Sequence, residues 1–152
     1  MPLRSDRINF TAPRDVAEML RQTGNASAYI VAIVQRRWRE WQNSFAHLVG
    51  AGWYGNEIEA ACDLLSGYYF SSIRPPREPL AIELRNGVRV NEVLTETGVD
   101  RACWRERIEA LACDDDIAQA LWTVAQEFSA GNMVLKERIK KLGASAVKPV
   151  DA

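Results

Sequence analysis

The chain has little of the chemistry that metal sites require. Its 152 residues include one histidine, His47, and three cysteines, Cys62, Cys103 and Cys113, which lie in separate segments. None of the cysteines belongs to a CxxC pair, whereas tetrahedral zinc sites usually recruit closely spaced pairs of ligands. We therefore expect no metal site and three reduced, buried thiols, because free cysteine is among the residue types most often buried.

Signatures of an enzyme are missing as well. The sequence offers no nucleophile with a matching base, and no glycine-rich loop of the kind that holds phosphates. His47 is expected on a helix surface or in packing, and the carboxylates of Glu57, Glu59 and Asp63 on a solvated helix flank. We predict that the protein is not an enzyme, has no catalytic residues and uses no cofactor.

Long apolar runs are also absent. No stretch approaches the roughly 20 residues that a membrane-spanning helix needs. The first seven residues, Met-Pro-Leu-Arg-Ser-Asp-Arg, lack the apolar segment of a secretory signal. Hydrophobic residues nevertheless make up 47% of the chain and include five tryptophans, which indicates a packed core. We expect a protein of the cytoplasm with no membrane partner.

Charge is distributed unevenly along the chain, although the formal net charge is only −1. Residues 1–46 hold seven arginines against four acids, a net charge of +3. Residues 47–135 hold seven arginines against fourteen acids, a net charge of −7, and residues 136–152 return to +3. A basic first third on an acidic body fits a nucleic-acid-binding head attached to a domain with another role.

The segment 7–12 carries the most informative pattern. Polar and apolar side chains alternate along it, with Arg7, Asn9 and Thr11 on one face and Ile8, Phe10 and Ala12 on the other. This alternation predicts a short strand with one buried face. A lone strand leaves its backbone donors and acceptors unpaired, so its simplest partner is the same strand of a second copy. The alternative is an ordinary edge strand paired within the chain, for example with Leu80–Leu84.

Two helical patterns follow this strand. Pro13 is expected to open the first helix, where its missing N–H costs nothing, and Gly24 to lie just beyond the end of that helix. Asn25 or Ser27 is placed to cap the second helix, which the apolar spacing extends from about 26 to 48. Residues 1–48 are therefore predicted to form one domain of a short strand and two helices.

The remainder is predicted to be all-helical, so that the fold class is mainly α. Residues 49–142 form the second domain, with a third helix capped by Asn56 and a proline-rich break at 71–79. The later helices are expected at about 80–86, 88–97, 100–112, 115–130 and 131–142. Residues 143–152 are predicted to be a disordered tail.

The order of strand, proline-started helix, Gly-Asn turn and longer helix over residues 7–45 resembles the ribbon-helix-helix family of DNA-binding proteins. The resemblance implies an intertwined homodimer whose paired strands enter the major groove of double-stranded DNA. It implies that Arg7, Asn9 and Thr11 read bases. Side chains of both elements would form the dimer core, namely Ile8, Phe10, Ala12, Ile30, Ile33 and Val34.

The same resemblance places a DNA phosphate at the start of the second helix. Asn25, Ala26 and Ser27 stand there, where backbone N–H groups and side chains can bind an anion. Arg4, in the arm before the strand, is expected to contact the DNA backbone too.

Residues 90–108 form a second candidate. A helix, Gly98 at a corner and a helix capped by Asp100 are similar to a helix-turn-helix unit, in which Arg101 and Arg105 would approach the groove. A plain helical hairpin is the alternative, because the surroundings are acidic and Trp104 is expected in the core.

These patterns predict a sequence-specific transcriptional repressor, encoded on a plasmid, phage or other mobile element and associated with the nucleoid. Residues 49–142 would join dimers side by side on DNA or bind a protein partner. Three alternatives stay open at this point. They are an antitoxin whose C-terminal part binds a toxin, an accessory protein of plasmid partition or transfer, and a helical adaptor without DNA affinity.

Overall fold

A computed structural model describes residues 7–66 and 77–144, and their architecture is mainly helical, as predicted. Within these ranges the helices are α1 Arg14–Gln22, α2 Ala26–Gly50, α3 Gly55–Leu65, α4 Arg77–Asn86, α5 Val90–Thr97, α6 Arg101–Cys113, α7 Asp115–Ser129 and α8 Met133–Leu142. Three predictions fall wholly or partly outside the described residues: the contact of Arg4, the helical or loop state of 67–76, and disorder of the tail from residue 145.

The chain divides into two compact units, Met1–Trp38 and Arg39–Ala152. The division falls inside α2, whereas the sequence patterns placed the domain boundary after residue 48. The second helix therefore begins in one unit and ends in the other.

In the first unit, residues 7–13 are neither helix nor strand, so the predicted strand is not seen in the single chain. A strand is defined by its pairing, and the predicted partner is a second copy. Leu80–Leu84, the partner suggested within the chain, is part of α4 and not a strand. Pro13 stands directly before α1, and its carbonyl accepts a hydrogen bond from the N–H of Ala17 at 2.9 Å.

The cap of α2 is as predicted. The Asn25 side-chain oxygen accepts a hydrogen bond from the N–H of Ala28 at 3.0 Å, which satisfies one of the free donors of the first turn. Gly24 has a φ of 78°, a left-handed conformation that glycine adopts without strain. The turn between α1 and α2 is thus fixed by its own residues.

The second unit packs around α3, which contacts α4, α5, α7 and α8. Two tryptophans from outside α3 help to complete this core. The rings of Trp53 and Trp104 meet edge to face with centroids 6.3 Å apart, and the indole N–H of Trp104 donates to the carbonyl of Leu84 at 2.9 Å. Trp104 is therefore a core residue, as predicted.

The start of α3 differs from the prediction that Asn56 caps it. Tyr54 is the capping residue, and its N–H donates to the Glu57 carboxylate at 2.8 Å. Asn56 lies inside the first turn and is buried, where its amide donates to the carbonyls of Thr97 and Gly98 at 3.4 and 3.3 Å. Its side chain therefore ties α3 to the end of α5.

The expectation that Glu57 lies on a solvated flank is wrong. Its side chain is fully buried, and the same carboxylate oxygen that caps α3 also accepts from Arg107 Nε at 3.1 Å. A glutamate at the third helical position turns back toward the cap, and in this chain that direction leads into the core against α6. Glu59 is exposed and Asp63 is half-buried, as a helix flank requires.

Two further expectations need correction. Pro79 belongs to α4 rather than to a loop, because it stands in the first turn, where a helix needs no backbone N–H. The cysteines are not all buried: Cys62 is, Cys103 is partly exposed and Cys113 is exposed. Burial, reinforced by the nearby charges of Glu59 and Asp63, raises the pKa of the Cys62 thiol well above its usual range.

Gly55 provides a test of this packing. A Cβ at this position would collide with the backbone carbonyl of Ile139, and it would lie 2.8 Å from the carbonyl of Gly143. We expect Gly55→Ala to lower the free energy of unfolding by about 1–3 kcal/mol, the usual cost of overpacking. Chemical denaturation measures the change.

The matched control is Gly50→Ala, which adds the same methyl group near the end of α2 with no atom within 4 Å of it. That variant should be neutral or more stable than the parent, because alanine is the better helix former. Equal stability of the two variants would contradict the close approach of α3 to α8.

Candidate dimer and nucleic-acid interface

The first unit buries none of its described residues. Every residue from 7 to 38 is exposed or only partly covered in the single chain. Helix α1 is amphipathic, yet it has no buried side chain at all. Short helices draw most of their stability from packing an apolar face, so this unit needs a surface that its own chain does not supply.

The exposed side chains of this unit are strongly apolar. Nine of the fifteen large hydrophobic residues exposed in the described chain belong to it. They are Ile8, Phe10, Val16, Met19, Tyr29, Val31, Ile33, Val34 and Trp38. Single exposed apolar residues are ordinary, but such a concentration marks an interaction surface.

A groove organises part of this surface. It has a volume of about 480 Å³, and its lining includes Ile8 and Phe10 from the N-terminal segment and Ile30, Val31 and Val34 from α2. The apolar side chains of the segment thus lie toward α2, although Ile8 remains 83% exposed and Phe10 62% exposed. The segment covers the groove only in part, which leaves room for another chain.

The polar side chains of the same segment are not part of this groove. Arg7, Asn9 and Thr11 are all exposed, and none of them lines it. The alternation in the sequence therefore corresponds to two separate faces of the molecule. One face is apolar and incomplete, and the other offers a guanidinium, an amide and a hydroxyl to solvent.

The predicted dimer-core residues belong to the first unit, and all of them are partly or largely exposed to solvent in the single chain. Ala12 and Ile30 are half-buried, while Ile33 and Val34 are exposed to 38% and 55%. Sequence reasoning did not place Val31 in this set, although it lines the groove. The three-residue spacing from Val31 to Val34, both apolar, is the sequence signal that could have indicated it.

The start of α2 presents free backbone donors. The N–H groups of Ala28 and Tyr29 are used by the side chain and the carbonyl of Asn25. Within residues 7–66 and 77–144, the N–H groups of Ala26 and Ser27 have no acceptor. Because a helix start carries partial positive charge, these two donors are suited to an anion.

In the described part of the chain, no group of three or more histidine, cysteine or acidic side chains is placed to hold a metal ion. None of the helices described is both long and apolar enough to cross a membrane. Comparison of the chain with protein-family models, curated proteins and solved structures gives no match.

If the apolar face is covered by a second copy, a charge placed on it will separate the two chains. We expect Phe10→Asp and Val34→Asp each to convert the dimer to monomer at micromolar concentration, because a buried unpaired carboxylate costs several kcal/mol. Sedimentation equilibrium measures the molecular mass.

Val88→Asp is the matched control. Val88 is fully exposed in the second unit, so the same substitution adds the same charge away from the face. This variant should remain dimeric. A parent protein that sediments as a monomer at all concentrations would contradict the interface.

Proposed function

We propose that the protein is a homodimeric, sequence-specific DNA-binding protein of the ribbon-helix-helix type that acts as a transcriptional repressor. The observation that carries the proposal is the separation of faces in residues 7–12. Ile8 and Phe10 lie on an incomplete apolar groove, while Arg7, Asn9 and Thr11 are exposed and free to contact another molecule.

Dimerisation supplies the backbone partners and the apolar cover that the first unit lacks in the single chain. The segments of two copies pair antiparallel, so that each satisfies the backbone donors and acceptors of the other. The apolar side of the resulting ribbon closes the grooves of both chains and buries the faces of α1 and α2. A two-stranded ribbon is narrow enough to enter the major groove of DNA.

Base reading then falls to three exposed side chains on each strand. The guanidinium of Arg7 can donate two hydrogen bonds to guanine, and the amide of Asn9 can pair with the edge of adenine. Thr11 offers a hydroxyl, or its methyl group to thymine. Each good contact is worth roughly 1–3 kcal/mol of discrimination against the wrong base.

Phosphate contacts fix the register of the ribbon. The free N–H groups of Ala26 and Ser27 would bind a backbone phosphate beside the ribbon, and the Asn25 cap holds this helix start in place. Arg4 would add a backbone contact from the arm. The basic charge of residues 1–46 favours the approach to DNA in general.

The second unit bears on the alternative that the protein is an antitoxin. Toxin-binding tails are commonly disordered until they bind. Residues 39–66 and 77–144 instead bury a core that includes Trp41, Trp53, Trp104 and Trp122 in the single chain. This favours a folded domain that joins dimers on DNA or binds a protein partner, and hence a repressor. A role in plasmid partition or transfer would use the same DNA contacts at a different kind of site.

Selection of bound sites from random DNA should recover two related half-sites in inverted orientation, because the dimer is symmetric. On the selected site, we expect Arg7→Ala and Asn9→Ala each to weaken binding at least about tenfold while the protein remains dimeric. Gel-shift titration measures the affinity, and sedimentation measures the mass.

Arg21→Ala removes the same charge as Arg7→Ala from the same unit. The Arg21 guanidinium is paired with Glu18 at 3.0 Å on the exposed side of α1, so this control should bind the selected site nearly as well as the parent. Parental affinity in both Arg7→Ala and Asn9→Ala would exclude base reading by this segment.

A further inference from the structure

The arginines of the acidic body, residues 47–135, divide into two groups. Six of them lie in the described residues, and three of these have a carboxylate at 3.1–3.9 Å: Arg77, Arg89 and Arg107. The other three have no carboxylate at ion-pair distance within the described chain: Arg85, Arg101 and Arg105. In a body with a net charge of −7, three arginines without an acidic partner need an explanation.

The three arginines without acidic partners line a single cleft. It has a volume of about 640 Å³ and lies between the end of α4, the helix α5 and the first turns of α6. Its lining also includes buried apolar side chains, among them Leu94, Trp104 and Ile108. The apolar part of the lining therefore belongs to the core of the second unit, and the charged side chains surround it.

Arg101 is held in place without being neutralised. Its guanidinium donates to the side-chain oxygen of Asn91 at 2.7 Å and to the hydroxyl of Thr95 at 3.2 Å, both uncharged. These bonds fix the direction of the group and leave its full positive charge. Arg105 follows one turn later on α6, so the Cβ atoms of the two arginines are roughly 5–6 Å apart.

Arg85 and Arg105 make no hydrogen bond in the described part of the chain. The three guanidinium groups around the cleft therefore repel one another, with no ion pair to neutralise any of them in the described residues. Glu109 is the one acidic residue of the lining, which leaves a formal charge of +2. An anion in the cleft would relieve this repulsion.

The charge and the donors together favour a phosphate. A phosphate monoester carries close to two negative charges at neutral pH and offers three free oxygens, so it can accept from several guanidinium groups at once. A carboxylate carries one charge and two oxygens, so it can accept hydrogen bonds from fewer arginines. The planar donor fork of arginine matches phosphate geometry closely.

We propose that the cleft formed by Arg85, Arg101 and Arg105 binds a phosphate group. The group is either the monoester of a small phosphorylated molecule or successive phosphates of a DNA backbone, which carry one negative charge each. The site does not depend on the base-reading residues, so it stands or falls separately from the proposed function.

The test variant is Arg85→Ala combined with Arg105→Ala in the full chain. Neither side chain has a hydrogen bond or ion pair in the described residues, so the fold should be retained, as a thermal melt checks. The control combines Arg77→Ala with Arg89→Ala. It removes the same charge from two exposed ion pairs outside the cleft.

Two titrations distinguish the sources of the phosphate. Inorganic phosphate is titrated by calorimetry, and a short duplex of random sequence is titrated by fluorescence anisotropy. We expect the parent and the control to bind at least one of these probes about tenfold or more tightly than the test variant does. An effect on inorganic phosphate indicates a small ligand, and an effect on the duplex alone indicates the DNA backbone.

The proposal is overturned if the test variant and the control bind both probes equally well. It is also overturned if the parent shows no saturable binding of inorganic phosphate up to on the order of 10 mM and no loss of duplex affinity in the test variant. Failure of Arg7→Ala to affect the selected DNA site would leave these outcomes unchanged, because Arg7 belongs to the first unit.

Discussion

The apolar surface of the first unit is the constraint from which the functional proposal follows. Residues 7–38 comprise a segment that is neither helix nor strand, α1 and the first part of α2, and none of them is buried in the single chain. At roughly 25 cal/mol per Å² of apolar area, leaving this surface in water forgoes the main source of stability available to so short a unit. In the proposed dimer, a second copy would cover this surface and pair with the segment, and the polar side chains would then lie together on the outside of one ribbon.

The second unit buries its core within the single chain. Glu57 links two of its helices, because one buried carboxylate oxygen caps α3 and also accepts from Arg107 on α6. Breaking such a pair leaves a buried charge without compensation, which commonly costs about 3–5 kcal/mol. This contact joins α3 to α6, the helix that carries Arg101 and Arg105.

Local rules predicted the elements of this fold well. Asn25 and Asp100 cap the helices that they were expected to cap, and α2 ends two residues beyond its predicted end at 48. The failures came from long-range contacts. The burial of Glu57 depends on Arg107, fifty positions later, and nothing in the spacing of α3 reveals that partner. The sequence predicted only part of the arginine cleft. Arg101 and Arg105 were expected on the same helix, whereas Arg85 comes close to them only through tertiary packing.

The pairing of residues 7–12 between two copies can be measured directly by nuclear magnetic resonance on a mixed dimer, in which one copy is isotopically labelled and the other is not. The account predicts cross-strand contacts between the labelled and unlabelled segments in antiparallel order, with Ile8 and Phe10 on the side of α2. A stable dimer in which residues 7–12 show no contact with the same residues of the other copy would contradict it.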